Sequence, residues 1–169
     1  MIGAALLVAV LGIGAPATAA GVEPASAYAG TWKAEITYRQ TPYSQAHVDV
    51  NTVINDCWHS AEFQACHQTV DGKSGALIVY LYRPDQKAYA IRTIAPDSGA
   101  VNSAILIVKG NVWMYPWDDV VKGKTMHFRV INTFTSPASI DFRSEYSADS
   151  VHWSTSATGH EQRLPATAN

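Results

Sequence analysis

This 169-residue chain is poor in charge: Asp, Glu, Lys and Arg make up 15% of it, and the net charge is −2. An average domain carries about 25%. No run of Lys or Arg occurs, so the basic footprint of a nucleic-acid binder is missing. Beyond the first twenty residues no apolar stretch reaches the ~20 residues that a membrane-crossing helix needs. Local catalytic signatures are absent as well. There is no G-x-S-x-G elbow, no H-E-x-x-H pair and no phosphate-binding glycine loop. Asp71-Gly72-Lys73-Ser74-Gly75 joins two strands and offers an anion no helix N-terminus. Neither an internal repeat nor an amphipathic helix is found. On these grounds no catalytic residue, cofactor or metal is expected.

Residues 1–20 read as a removable signal peptide. Leu6 to Ile13 is a short apolar run, and Ala17-Thr18-Ala19 supplies the small residues of a cleavage site. The Lys/Arg segment that usually precedes such a run is missing, which leaves open whether Met1 is the true start. An uncleaved anchor is the alternative, and Pro16 with the small residues after it argues against one. With no Cys near the cleavage region, a lipid anchor is not expected. Residues 21–169 then form a single domain, secreted or periplasmic, without stable membrane insertion.

What the chain does have is alternation. In KTMHFRVINTF, Phe128, Val130, Asn132 and Phe134 alternate with His127, Arg129, Ile131 and Thr133. After Thr-Ser-Pro-Ala-Ser, Ile140, Phe142 and Tyr146 alternate with Asp141, Arg143 and Glu145. Side chains on a strand point to opposite faces with period two, so each segment has a mainly apolar and a mainly polar face. Ser-Ala-Asp-Ser then turns the chain into a further strand, His152 to Gly159.

Upstream, strands are expected at Thr31–Arg39, His47–Cys57, Phe63–Val70, Ala76–Tyr82, Tyr89–Ile94, Val101–Val108 and Val112–Trp117. In the second of these Val48, Val50, Thr52 and Ile54 share a face. Val22 to Gly30 is a lead-in with room for one helical turn. Strands at this spacing, joined by short turns, predict an all-β, up-and-down antiparallel β-barrel of about ten strands. Closure removes the exposed edges. A two-sheet sandwich, which usually needs longer crossing connections, is the rival.

Gly30-Thr31-Trp32 at the head of the first long strand resembles the G-x-W signature of the lipocalin and calycin barrels. The wider pattern is similar to lipocalin-like domains of bacterial secreted proteins: G-T-W early, then F-R-V-I-N-T-F, then E-Y-S-x-D followed by H-W. The resemblance implies that Trp32 plugs the closed end and that Arg163, just after the last strand, packs over it. Ten strands point toward the fatty-acid-binding-protein or nitrobindin-like branch. None of the six histidines matches the proximal haem ligand of the latter. Arg39, Arg129 and Arg143 fall on the outward phase, away from any interior carboxylate ligand.

Cys57 and Cys66 lie on consecutive strands, and directly opposed residues are close enough for a disulfide. An exported protein normally pairs two cysteines. Free thiols, or a metal site with His59 and His67, are the alternatives. Trp113, Tyr115 and Trp117 form an alternating aromatic stripe that could line a pocket, fill the core or stack on sugar rings. Asp118-Asp119 are read as turn residues before Val-Val-Lys-Gly-Lys. Ser147 to Trp153, a degenerate Asp-box, is read as a hairpin with a buried Trp.

The functional expectation is a small, mainly apolar ligand held among Tyr38, Trp113, Tyr115, Phe128, Phe142, Tyr146 and Trp153, with Asn132 orienting it. A packed structural or interaction domain and a small enzyme acting inside the barrel are the two other readings.

Overall fold

The computed structural model describes residues 23–60 and 62–165. The expected signal segment lies outside the described residues. One helical turn, α1 (Glu23–Ser26), precedes ten strands. These are β1 (Gly30–Tyr38), β2 (His47–His59), β3 (Phe63–Val70), β4 (Lys73–Arg83), β5 (Ala88–Ile94), β6 (Val101–Lys109), β7 (Val112–Val121), β8 (Lys124–Ser136), β9 (Ser139–Ser147) and β10 (Ser154–Arg163). Each strand pairs with its sequence neighbours, and β10 returns to β1, so the sheet is a closed up-and-down barrel. The closing seam is antiparallel and runs from Trp32 opposite Arg163 to Tyr38 opposite Ala157.

Turn chemistry sets the strand ends. Asp71-Gly72 and Lys122-Gly123 both have positive φ at their two residues (49° and 75°; 51° and 76°). That is the type I′ geometry that matches strand twist in a two-residue hairpin. Because two residues suffice, β4 begins at Lys73 and not at Ala76, and β7 runs on to Val121. Asp118 and Asp119 are therefore strand residues opposite His127 and Met126, not turn residues. At the other end of the chain β10 starts at Ser154 and includes Arg163.

The phase of β2 also differs from a hydrophobicity-based choice. Val48, Val50 and Ile54 face outward and are exposed. Val53 and Asn55 face the interior instead. The register of β1 decides this: Trp32 is opposite Val53 and Gly30 opposite Asn55, and directly opposed residues share a face.

One end of the barrel is packed solid. Trp32, Ala25, Cys66, Tyr89, Leu106 and Trp113 are all buried there. Tyr28, in the lead-in between α1 and β1, packs edge-on against Trp113 at 4.9 Å and against Phe134 at 5.4 Å. Its carbonyl accepts hydrogen bonds from Trp32 Nε1 (3.0 Å) and Asn55 Nδ2 (3.1 Å). Gln64 Nε2 donates to the Ala25 carbonyl at 2.9 Å. The lead-in is thus stitched into the barrel as a plug.

The wall has one weak seam. β6 and β7 pair over Lys109–Val112, Val108–Trp113 and Ile107–Met114, and the ladder stops there. The cause is Pro116. In the hairpin at Lys122-Gly123 the Val121–Lys124 pair is hydrogen-bonded, so odd-numbered residues of β7 point their N–H groups at β8 and even-numbered ones at β6. Position 116 should donate to β6, and proline has no N–H to give. The two strands diverge beyond it around a recess of about 340 Å³, lined by Asn102, Ser103, Tyr115, Trp117, Asp118 and Asp119.

Cys57 and Cys66 are directly opposed on β2 and β3 and form a disulfide. It closes a loop of sequence separation 9. In the chain-entropy model such a loop contributes roughly 2.5–3 kcal/mol. The double variant Cys57→Ala/Cys66→Ala should fold to the same barrel with stability lower by about that amount, measured by urea denaturation with and without reductant. Equal stability of wild type and variant under oxidising conditions would contradict the estimate.

Candidate functional site

Between the plugged end and the opposite rim the barrel is not filled. A cavity of about 420 Å³ remains, within the ~300–1,000 Å³ typical of ligand sites. Ile78, Ile91, Leu106, Val130 and Phe142 give it apolar walls. The polar groups that reach it are Asn55, Gln68, Thr93, Asn132, the phenols of Tyr28, Tyr80 and Tyr115, and the carboxylate of Glu161.

The three amides among these groups are committed to neighbours. Gln68 Nε2 donates to Asn55 Oδ1 at 3.0 Å, and Asn55 in turn donates to the Tyr28 carbonyl. Asn132 Nδ2 donates to the Tyr28 hydroxyl. Burial pushes the Tyr28 and Tyr80 phenols far above the ordinary tyrosine value, so both stay protonated donors. Tyr89, behind them, is pushed up to about 12 by burial, with a smaller contribution from Tyr82.

Glu161 is the exception. Burial raises its carboxyl above the usual range, opposed weakly by His160. It faces inward because Ala34 and Ile140, its partners on β1 and β9, face inward. Among the described residues that line the cavity it is the one carboxylate, beside amides, phenols and a threonine.

The residues expected to hold a ligand fall into four groups. Tyr115, Asn132 and Phe142 line the cavity. Trp113 is 3% exposed and belongs to the plug, between Tyr28 and Phe134. Tyr38, Phe128 and Tyr146 stand at the opposite rim. There Tyr38 stacks on His47 with centroids 4.2 Å apart, and Tyr43 from the 39–46 loop meets Tyr146 at 5.4 Å and Phe128 at 6.3 Å. Trp117 stacks on Phe128 at 5.4 Å. Thr41 Oγ1 accepts from the Tyr43 and Ser44 amides and holds that loop in place.

Trp153 departs from its expected interior position. It lies outside the wall, with the Arg129 guanidinium 3.8 Å from its ring centroid. The loop between β9 and β10 puts it there. Asp149 Oδ1 accepts from the amides of Val151 (2.9 Å) and His152 (2.8 Å), and Trp153 Nε1 donates to the Ser150 carbonyl. Arg129 also pairs with Glu145 at 2.6 Å, and Arg143 does so at 2.8 Å. Burial pushes the Glu145 carboxyl up, but these two guanidinium partners outweigh it and leave its pKa below normal. Both arginines are thus outside the barrel.

Trp32 is fully buried at the plugged end, and the Arg163 guanidinium lies 4.3 Å from its centroid. Among the described residues no cluster of His, Cys, Asp and Glu is arranged to hold a metal ion. The histidines lie on the outer surface or the rim, and four of them sit beside an aspartate: His47 by Asp49, His127 by Asp118, His152 by Asp149 and His160 by Asp141.

Tyr28, Asn55, Gln68, Tyr80 and Glu161 were not singled out by sequence. Glu161 could have been found from the seam alone. Once Trp32 is set opposite Arg163, counting two residues along each strand places Ala34 and Glu161 on the same inner face.

No protein-family model matches the chain. No curated protein matches it either. Solved structures similar to it include Rv2717c from M. tuberculosis, with 12% identity, 85% of this chain and 96% of that one covered, and a TM-score of 0.49. A redesigned β-barrel is 14% identical over 85% of this chain and 97% of the other, with a TM-score of 0.38. EF1p2_mFAP2b bound to DFHBI is 15% identical over 83% and 96%, with a TM-score of 0.37. The fold of this chain rests on its own strand register.

Two outcomes are expected from this geometry. Gly159 lies under the Phe142 ring, and a Cβ there would run into that ring and lie 2.7 Å from the Glu35 carbonyl oxygen. Gly159→Ala should cost about 1–3 kcal/mol in denaturation experiments, because the backbone carbonyl cannot yield as the ring can. A neutral effect would show that β10 has more freedom than the seam register implies.

The second concerns pH. His152 is held above the usual imidazole range by its hydrogen bond and charge contact with Asp149, whose carboxyl is held well below its own by His152 and nearby amides. The His152 contribution is complete below the ordinary imidazole pKa and lost as pH rises through the raised value. The Asp149 contribution is present above the ordinary carboxyl range and lost as pH falls through the lowered value. The pair therefore secures the loop between those two limits. An NMR titration should find His152 above about 6.5, and Asp149→Asn should return it there.

Proposed function

We propose that this protein is a binding barrel that takes a small, mainly apolar ligand into its interior. The cavity of about 420 Å³ carries the reading, because apolar side chains wall it and polar groups converge on it. Affinity would come from apolar area removed from water, at roughly 25 cal/mol per Å². Of the residues read from sequence, Tyr115, Phe142 and Asn132 serve the ligand directly. Tyr38, Phe128 and Tyr146 frame the rim, and Trp32, Trp113 and Arg163 hold the far end shut.

The resemblance to lipocalin-like secreted domains supports the same reading. The disulfide points separately to an oxidising compartment, as for a secreted or periplasmic protein. We take residues 1–20 as the signal that delivers the chain there and 21–169 as the mature domain. No helix among the described residues is long and apolar enough to cross a membrane.

Acid–base chemistry inside the barrel has one feature in its favour, the raised Glu161 carboxyl. The other cavity-lining side chains with an oxygen or nitrogen are amides, phenols and one threonine. That set orients a guest more readily than it attacks one, and Glu161 is read as an orienting group.

The test uses the neutral fluorescent probe N-phenyl-1-naphthylamine, which brightens when removed from water. Wild-type protein should enhance it saturably. Val130→Trp, which fills the cavity from β8, should weaken that binding about 10-fold or more, since even the loss of a well-placed side-chain contact costs 1–3 kcal/mol. Equal enhancement by a folded Val130→Trp variant would place the probe elsewhere and overturn the reading.

A further inference from the structure

We propose that the interior ligand is an organic amine, bound as its cation with the ammonium group on the Glu161 carboxylate and its apolar body among Ile78, Ile91, Leu106 and Phe142. This rests on the interior-binding reading above and names the chemical class that such a site selects.

The argument is one of charge accounting inside the barrel. Glu161 is the charged side chain among the cavity-lining residues. The amides around it are engaged: Asn132 with the Tyr28 hydroxyl, Gln68 with Asn55, and Asn55 with the Tyr28 carbonyl. No hydrogen bond to the Glu161 carboxylate occurs among the described residues.

Cations that could neutralise it are spoken for. Arg163, two residues along the same face, stacks on Trp32 and donates to the carbonyls of Ala27 (2.6 Å), Ala29 and Pro137 (3.2 Å). His160 points to the outer face, where it meets Asp141 at 2.7 Å. A partly buried carboxylate without a partner carries a desolvation cost, and an incoming cation offsets that cost. The same charge repels fatty acids and other carboxylate ligands.

The other ionisable groups facing the cavity are the phenols of Tyr28, Tyr80 and Tyr115. All are raised chiefly by burial and stay neutral at ordinary pH. Acidification that protonates Glu161 should therefore weaken amine binding.

Matched triplets separate the possibilities by calorimetry. On an indole ring the probes are tryptamine, its hydroxyl analogue tryptophol and indole-3-propionate. On a benzene ring they are 2-phenylethylamine, 2-phenylethanol and 3-phenylpropionate. The amines should bind most tightly and the carboxylates least. Glu161→Gln, which keeps size and shape, should weaken amine binding at least about 10-fold while leaving the alcohols within about 2-fold.

Alcohols or carboxylates binding as well as the amines would overturn the amine class and leave the interior site standing. So would an unchanged amine affinity in a folded Glu161→Gln protein. Absence of binding by every probe up to about 1 mM, a Kd corresponding to roughly −4 kcal/mol, would overturn the interior site together with the class.

Discussion

Everything in this barrel depends on the seam between its first and last strands, and that seam is anchored by Arg163 on Trp32. A ten-stranded meander without closure leaves two edges open, each a row of unpaired backbone groups. Here the last strand residue on the inner face is an arginine, directly opposite the buried tryptophan of β1. Its guanidinium covers the indole and donates to three backbone carbonyls, two of them in the lead-in. Hydrogen bonds to a charged group are worth about 1.5–3 kcal/mol, more than neutral ones. Arg163 therefore holds strand, lead-in and plug together at one point. Lysine, with no planar fork to lie on the ring, could not do the same.

Closing ten strands fixes the diameter, and the diameter creates the cavity. Ordinary side chains fill a barrel of about eight strands; a wider one leaves room. This chain places much of its aromatic bulk at the two ends. Tyr28, Trp32, Trp113 and Phe134 form the plug, and Tyr38, Tyr43, Trp117, Phe128 and Tyr146 crowd the rim. The middle is left to medium-sized aliphatics and amides with Tyr80, Tyr115 and Phe142 among them, and these do not fill the interior. Ends packed with rings and a centre with space therefore follow from one choice of where bulk is placed. Gly159 belongs to the same pattern, because it lets the Phe142 ring lie against β10 and keeps that ring from projecting across the space.

The fold was legible because strand alternation, short turns and closure all pointed one way. The strand order, the disulfide partners and the outward phase of Arg129 and Arg143 could be read from residue spacing. The cavity lining was only partly legible, for reasons that can be located. Hydrophobicity favours Val48, Val50 and Ile54 as the inner face of β2, but the register with β1 turns Asn55 inward. Asn55 and Gln68 satisfy each other and the lead-in carbonyl, a compensation visible only once three segments are together. Trp153 reads as a core residue by composition, yet the six-residue loop between β9 and β10, capped by Asp149, carries it past the wall. Tyr28 precedes the first strand, where no periodicity gives it a direction. Pairing across strands, and not pattern along them, decides each of these.

The same pairing logic explains where the wall is least secure. Backbone ladders run the length of most neighbouring strands, so separating them breaks many hydrogen bonds together. Between β6 and β7 the ladder is confined to the hairpin end, because Pro116 removes the next donor. Local opening follows the fewest buried contacts and hydrogen bonds, so this seam is the place where the barrel separates at least cost. Tyr115 stands at the junction, lining both the interior cavity and the recess between the two strands. The partition between inside and outside here includes that one aromatic ring. Elsewhere it is a continuous sheet. A proline that a central strand would exclude is tolerated because, on this side, β7 is an edge.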